Sequence, residues 1–199
     1  MTGPGSEPIA ESLENALAVI AGAVSSTKAK WLVGGSTGLL LRGLELPSPP
    51  RDLDLYADDE AAKAIHKALK PYAVDEQQLN ISPIYRSLLS HYDVQGVQVE
   101  LVGGFVVASD TDRYTVEVED ILEPLRTTVA AGRHDVGIVP LAHEFCFNLL
   151  RGRSDRVELI GQRMREELGL HEAALRLIAA RNRFSAALQH ELTQFLNDK

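Results

Sequence analysis

The sequence predicts an α+β fold: a small mixed β-sheet with flanking helices to about residue 139, then a helical C-terminal part. Three observations predict it. Short strand-like apolar runs, among them Trp31-Leu32-Val33 and Val97 to Val102, are separated by stretches of helical period. Gln95-Gly96 joins two such runs as a two-residue hairpin turn. Beyond Pro140 only the helical period recurs.

The elements follow in order. Ile9, Leu13, Leu17, Ile20 and Val24 fall three or four apart, which predicts an amphipathic helix facing a core. Residues 1–7 before it read as a loose tail without the basic and apolar segments of a signal peptide. Lys30 to Val33 reads as a strand, Gly34-Gly35 as a turn, and Ser36 to Gly43 as a helix with Ser36 as its N-cap. The prolines between Leu46 and Arg51 forbid helix and feed a strand from Asp52 to Tyr56. Asp58-Asp59 opens a helix carrying Ala61, Ala64, Ile65 and Leu69, which stops before Pro71.

Next come the two hairpin strands, Ile84 to Val94 and Val97 to Val102. Their register sets His91 opposite Glu100 and Asp93 opposite Gln98, so these four share a polar face. Tyr92, Val94, Val97, Val99 and Leu101 make the apolar face. Tyr114 to Val118, Thr127 to Val129 and Val136 to Val139 are further short strands, with a turn at Ala131 to His134. Helices follow around Leu141/Phe145/Leu149, Val157/Ile160/Met164/Leu168, Leu175 to Ala180, and Phe184 to Phe195. The chain thus divides into residues 1–139 and a helical region, 140–199.

Composition narrows the function classes. At 199 residues with 45% hydrophobic and 24% charged content, the chain is an ordinary globular protein. Its longest apolar stretch, Ala16 to Val24, is too short to span a bilayer. A net charge of -8 argues against nucleic acid as the main partner and tilts toward a small, cationic molecule or a protein. The one cysteine, Cys146, lies in an apolar helix and reads as a buried thiol, which fits a cytoplasmic protein.

Two motifs carry chemistry. In Arg51-Asp52-Leu53-Asp54-Leu55 the two carboxylates are two residues apart and share one face of a strand. Carboxylates so close repel unless a cation lies between them, and Mg²⁺ accepts such oxygens while sharing its shell with substrate phosphates. Gly34-Gly35-Ser36 supplies bare backbone at a helix start, where anions are attracted. Together they point to nucleotide chemistry.

These residues resemble the nucleotidyltransferase superfamily, the group related to the catalytic domain of DNA polymerase β. The likeness covers roughly residues 30 to 104, through Gly34-Gly35-Ser36, Asp52-Leu53-Asp54 and Glu100 in Val97-Gln-Val-Glu-Leu-Val-Gly-Gly104. In wording it is most similar to the abortive-infection toxin branch and the lincosamide and aminoglycoside branch. The resemblance implies that Asp52, Asp54 and Glu100 are the catalytic acids and hold two Mg²⁺ ions, Glu100 also serving as a base. It implies that Gly34, Gly35 and Ser36 bind the phosphates of an NTP donor. The expected reaction moves a nucleoside monophosphate to a hydroxyl of a small-molecule acceptor and releases pyrophosphate. A toxin-type enzyme acting on protein or tRNA is the alternative, and a non-catalytic relative that binds nucleotide or a partner protein is another. Arg42, Arg51, Arg151 and Arg153 are the cations considered for the triphosphate. His91 is read as a surface residue close enough to tune Glu100, and Asp93 as the competitor for the third acid.

Overall fold

The structure is a computed structural model that describes residues 6–197, with side chains from residue 11 onward. Helix α1 (Ser6–Val24) is followed by β1 (Trp31–Gly34), α2 (Gly35–Leu41), β2 (Leu53–Ala57) and α3 (Asp59–Leu69). Strands β3 (Gln78–Ile81), β4 (Tyr85–Val94), β5 (Val97–Ala108) and β6 (Arg113–Thr115) make up the middle. After a short irregular helical segment come β7 (Thr127–Ala131) and β8 (His134–Ile138). The chain closes with α4 (Leu141–Leu150), α5 (Ser154–Glu166), α6 (Leu168–Arg181) and α7 (Ala186–Asn197). The predicted tail overlaps the first turn of α1 at Ser6 and Glu7, and residues 1–5 lie outside the described residues, as does the Ile9 side chain.

The eight strands form one mixed sheet in the order β3-β4-β5-β2-β1-β8-β7, with β6 paired to β5. β2 runs parallel to β5 and β1 parallel to β8; the other pairs are antiparallel. The fold is therefore α+β, with a mixed sheet and a helical C-terminal region. The hairpin register is the expected one, His91 facing Glu100 and Asp93 facing Gln98. Gln95 and Gly96 both take positive φ, 56° and 82°, the twist that suits a two-residue turn.

Each face of the sheet builds its own core. On one, α1 and α3 bury Leu13, Leu17, Ile20, Ile65 and Leu69 against Leu53, Leu55, Val99 and Leu101. On the other, Tyr56 and Val102 pack with Phe145, Phe147 and Met164 of the C-terminal helices. Strand alternation decides the split: Leu53 and Leu55 go to the first face, Asp54 and Tyr56 to the second. Cys146 is fully buried in α4, and burial pushes its thiol up to about 12. Among the described residues no helix is long and apolar enough to cross a membrane.

Sequence reading missed β3. Its four residues are all exposed, so no period-2 burial pattern marks it, and it is held by pairing with β4 alone. Asp58 and Asp59, read as helix-start charges, have further partners. Asp58 caps α3 in position, and its carboxylate accepts from the Val118 and Glu119 N–H groups, each at 2.9 Å. Asp59 takes two hydrogen bonds from Arg86, at 2.6 and 2.7 Å.

His143 of α4 is fully buried, hydrogen-bonded through Nδ1 to the Tyr114 hydroxyl at 2.7 Å, and pushed down to about 3 by burial. The unfolded chain binds the proton from about pH 6.5 downward. Stability contributed by neutral His143 is therefore full above pH 6.5 and lost as pH falls toward 3. The expected result is that wild type loses a few kcal/mol more than His143→Phe over that window, measured by urea unfolding at each pH. Equal slopes would contradict the assignment.

Candidate active site

Adjacent strand registers bring the motifs together. Gly34 at the end of β1 pairs with Asp54 of β2, and Asp54 in turn pairs with Glu100 of β5. Asp52 lies one residue before β2. Its carbonyl accepts a hydrogen bond from Thr37 Oγ1 at 2.7 Å, which clamps the strand entry to α2. Asp52, Asp54, Glu100, Gly35 and Ser36 line one cavity of about 760 Å³ between the sheet and the C-terminal helices.

The glycines are needed for contact as much as for conformation. A Cβ on Gly34 would sit 2.2 Å from the Tyr56 ring. Gly35 has φ +59°, and a Cβ there would lie 1.8 Å from Asp54 Oδ2. The turn is thus fitted onto the Asp54 carboxylate. The capping expectation is corrected: Gly34 occupies the N-cap position of α2, without a side-chain cap, and Ser36 lies inside the first turn. Ser36 Oγ instead accepts from Arg156 Nη2 at 3.1 Å.

Glu144 of α4 was missed by sequence reading. It is buried, and its Oε1 accepts from the Gly35 N–H at 2.7 Å while Oε2 takes a bond from Asn148 at 3.3 Å. That backbone N–H is therefore already satisfied within the protein. An acid between the apolar residues Leu141 and Phe145 was the available signal, because such a residue is buried only when paired.

Four carboxylates now sit close together. Asp54 is raised to about 8, first by burial and then by Asp52, Glu100 and Glu144, with Arg151 opposing. Burial also raises Glu144, against the hydrogen bonds from Gly35 and Asn148. Among the described residues, no three acidic, His or Cys side chains converge tightly enough to cage a metal unaided. An oxygen-rich, electrostatically strained set of this kind suits a Mg²⁺ ion that completes its shell with water and substrate phosphate. Asp52, Asp54 and Glu100 are the residues that would hold it.

The cations form the opposing wall. Arg151, Arg153 and Arg156, from the α4–α5 connection and the first turn of α5, line the cavity. Arg156 Nη1 is buried and has no hydrogen-bond partner among the described residues. A guanidinium nitrogen so placed calls for an anionic oxygen. Arg156 lay within the basic run Arg151-Gly-Arg153-Ser-Asp-Arg156, yet was not among the cations considered. Two that were considered fall elsewhere. Arg42 donates through Nε to the Val139 carbonyl at 2.9 Å, and Arg51 is exposed outside the cavity.

His91 stands beside Glu100, its Nε2 3.8 Å from Glu100 Oε1, and its Nδ1 is 2.5 Å from Asp75 Oδ2. Asp93 does not line the cavity; it accepts from the Gly96 N–H at 2.9 Å and so closes the hairpin turn.

Comparison with solved structures agrees with this geometry at the level of fold. A protein of Thermotoga maritima assigned to the nucleotidyltransferases matches at 21% identity and TM-score 0.59, over 76% of this chain and 91% of that one. The antibiotic-resistance factor ANT(2'')-Ia in solution matches at 10% identity and TM-score 0.51, over 92% of this chain and 99% of that one. The lincosamide antibiotic adenylyltransferase LnuA, with lincomycin bound, is similar more loosely, at 9% identity and TM-score 0.44 over 73% and 94%. No protein-family model matches the chain, and no curated sequence matches it. The fold is nucleotidyltransferase-like.

Proposed function

We propose that this protein is a Mg²⁺-dependent nucleotidyltransferase that moves a nucleoside monophosphate from an NTP to a hydroxyl of a small-molecule acceptor. One observation carries the reading. A single cavity holds Asp52, Asp54 and Glu100 on one wall and Arg156, with a buried unpartnered N–H, beside Ser36 on the other. Acids alone would suit any cation, and arginines alone any anion. Their juxtaposition suits a metal-bound polyphosphate.

Bound Mg²⁺ would supply charge neutralisation at the phosphates. The chain's own residues do the rest. Ser36 and Arg156 receive the β- and γ-phosphates, with Arg151 and Arg153 close by. Glu100 accepts the proton of the acceptor hydroxyl. The acceptor oxygen then bonds to the α-phosphorus as the bond to the bridging oxygen breaks, and pyrophosphate departs toward the arginines. A single reduced thiol fits the cytoplasm as the place of action.

The test is pyrophosphate release from each of the four NTPs with Mg²⁺, for wild type, Asp52→Asn and Arg156→Met. Asp52→Asn is expected to lower the rate by at least about a thousandfold. Arg156→Met is expected to raise KM for the NTP by roughly ten- to a hundredfold, since a charge-assisted bond to phosphate is lost. Release that survives Asp52→Asn would sink the proposal, as would none from any NTP when a panel of hydroxyl compounds is supplied as acceptors.

A further inference from the structure

The cavity has a second half. Beyond Glu100, away from Ser36 and Arg156, its wall is made by β3 and β4: Asn80, Ile81, Tyr85, Ser87 and Leu89. The sheet register accounts for this placement. On β4, His91 pairs with Glu100 and Leu89 with Val102, while Ser87 pairs with Asn80 of β3. None of those five side chains is charged. Beside this wall, Asp75 and His91 are paired with each other and neither lines the cavity, which leaves Glu100 as the charged group of the cavity next to it. Arg86, next in line on β4, is engaged with Asp59 on the far side.

The polar groups of this wall are also free. The side chains of Asn80, Tyr85 and Ser87 make no hydrogen bond to another described residue. Between them lie Ile81, Leu89 and Phe105, with Phe105 tilted against the Tyr85 ring at 6.0 Å. A few uncharged hydrogen-bonding groups set in an apolar and aromatic surface hold a ligand that is itself uncharged and partly apolar. The five side chains of the wall themselves offer a polycation no counter-charge; the nearby acids, Glu100 first, are those of the carboxylate cluster.

We infer that this β3–β4 wall binds the acceptor, and that the acceptor is an uncharged hydroxyl compound with an apolar body. The inference rests on the nucleotidyltransferase reading. In an in-line displacement the acceptor enters opposite the departing pyrophosphate. Pyrophosphate faces Ser36 and the arginines, so the acceptor enters over Glu100 from β3 and β4. The acidic net charge suggested a cationic acceptor; the wall beside the base reverses that expectation, because the acids near it belong to the catalytic cluster.

The experiment measures label transfer from α-labelled NTP to octyl glucoside and salicin, two uncharged glycosides, and to tobramycin, a polycation. Direct NTP binding is measured alongside by calorimetry. Ile81→Asp is the informative variant, because Ile81 is 72% exposed on an edge strand and can be changed without opening a core. The expected result is a kcat/KM for at least one glycoside about tenfold or more above that for tobramycin. Ile81→Asp should raise the glycoside KM by about tenfold with NTP affinity unchanged. Preference for tobramycin overturns the inference, and so does NTP binding without transfer to either glycoside. An Ile81→Asp effect on NTP affinity in place of acceptor KM would assign this wall to the donor's nucleoside and overturn it equally. Failure of wild type to bind any NTP would instead remove the nucleotidyltransferase reading, and this inference with it.

Discussion

Asp54→Asn is expected to stabilise the ligand-free protein at high pH while abolishing transfer. Asp54 is raised to about 8 in the folded protein, against about 3.8 in the unfolded chain. Its folded form therefore holds a proton that the unfolded form has released. The stability this contributes is full below about pH 4 and is lost as pH rises through 8. Asparagine is neutral throughout, so the variant should show a flatter profile. By pH 9 it should be more stable than wild type by on the order of a few kcal/mol. A carboxylate held by an ordinary ion pair would give the opposite sign, with the asparagine variant weaker at neutral pH. Urea unfolding of both proteins from pH 4 to 9 separates the two. Retained transfer or a destabilised variant at pH 9 would count against the cluster as described.

Gly35→Ala is the second large effect. The substitution places a Cβ at φ +59° and 1.8 Å from Asp54 Oδ2. The left-handed conformation costs roughly 1–2 kcal/mol for a non-glycine residue. Displacing Asp54 adds to that and moves one of the acids proposed to hold the metal. Gly43→Ala is the control, because Gly43 has φ +79° with nothing within 4 Å of its would-be Cβ. The expected loss is about 1 kcal/mol at Gly43 and about 3 kcal/mol at Gly35, read as the shift in unfolding midpoint. Transfer should vanish only in Gly35→Ala. Equal losses at the two positions would mean that the Gly35–Asp54 contact does not matter.

Much of this was legible in the sequence for physical reasons that can be named. The Gln95-Gly96 turn fixed a register, and a register in a two-faced hairpin fixes which side chains share a face; hence Glu100 and His91 could be placed beside each other in advance. The Asp52/Asp54 spacing likewise put both on the face away from Leu53 and Leu55. What remained hidden depended on contacts distant in the chain. Glu144 reaches Gly35 across 109 residues and Arg156 reaches Ser36 across 120. No local pattern encodes such pairs. β3 was hidden for another reason, since an exposed edge strand has no buried face to impose alternation on its residues. Net charge is a blunt guide to the acceptor, because that sum counts every acid alike, including the four carboxylates gathered at the cavity.

The most direct measurement is thermal unfolding of wild type and Asp54→Asn with ATP, GTP, CTP and UTP, each with and without Mg²⁺. A ligand at one hundred times its dissociation constant adds about 2.7 kcal/mol, which for a chain of this size raises the midpoint by roughly 5–10 °C. The account predicts a Mg²⁺-dependent rise with at least one nucleotide in wild type, and its loss in Asp54→Asn. A rise of equal size in both proteins, or none with any nucleotide, would contradict it.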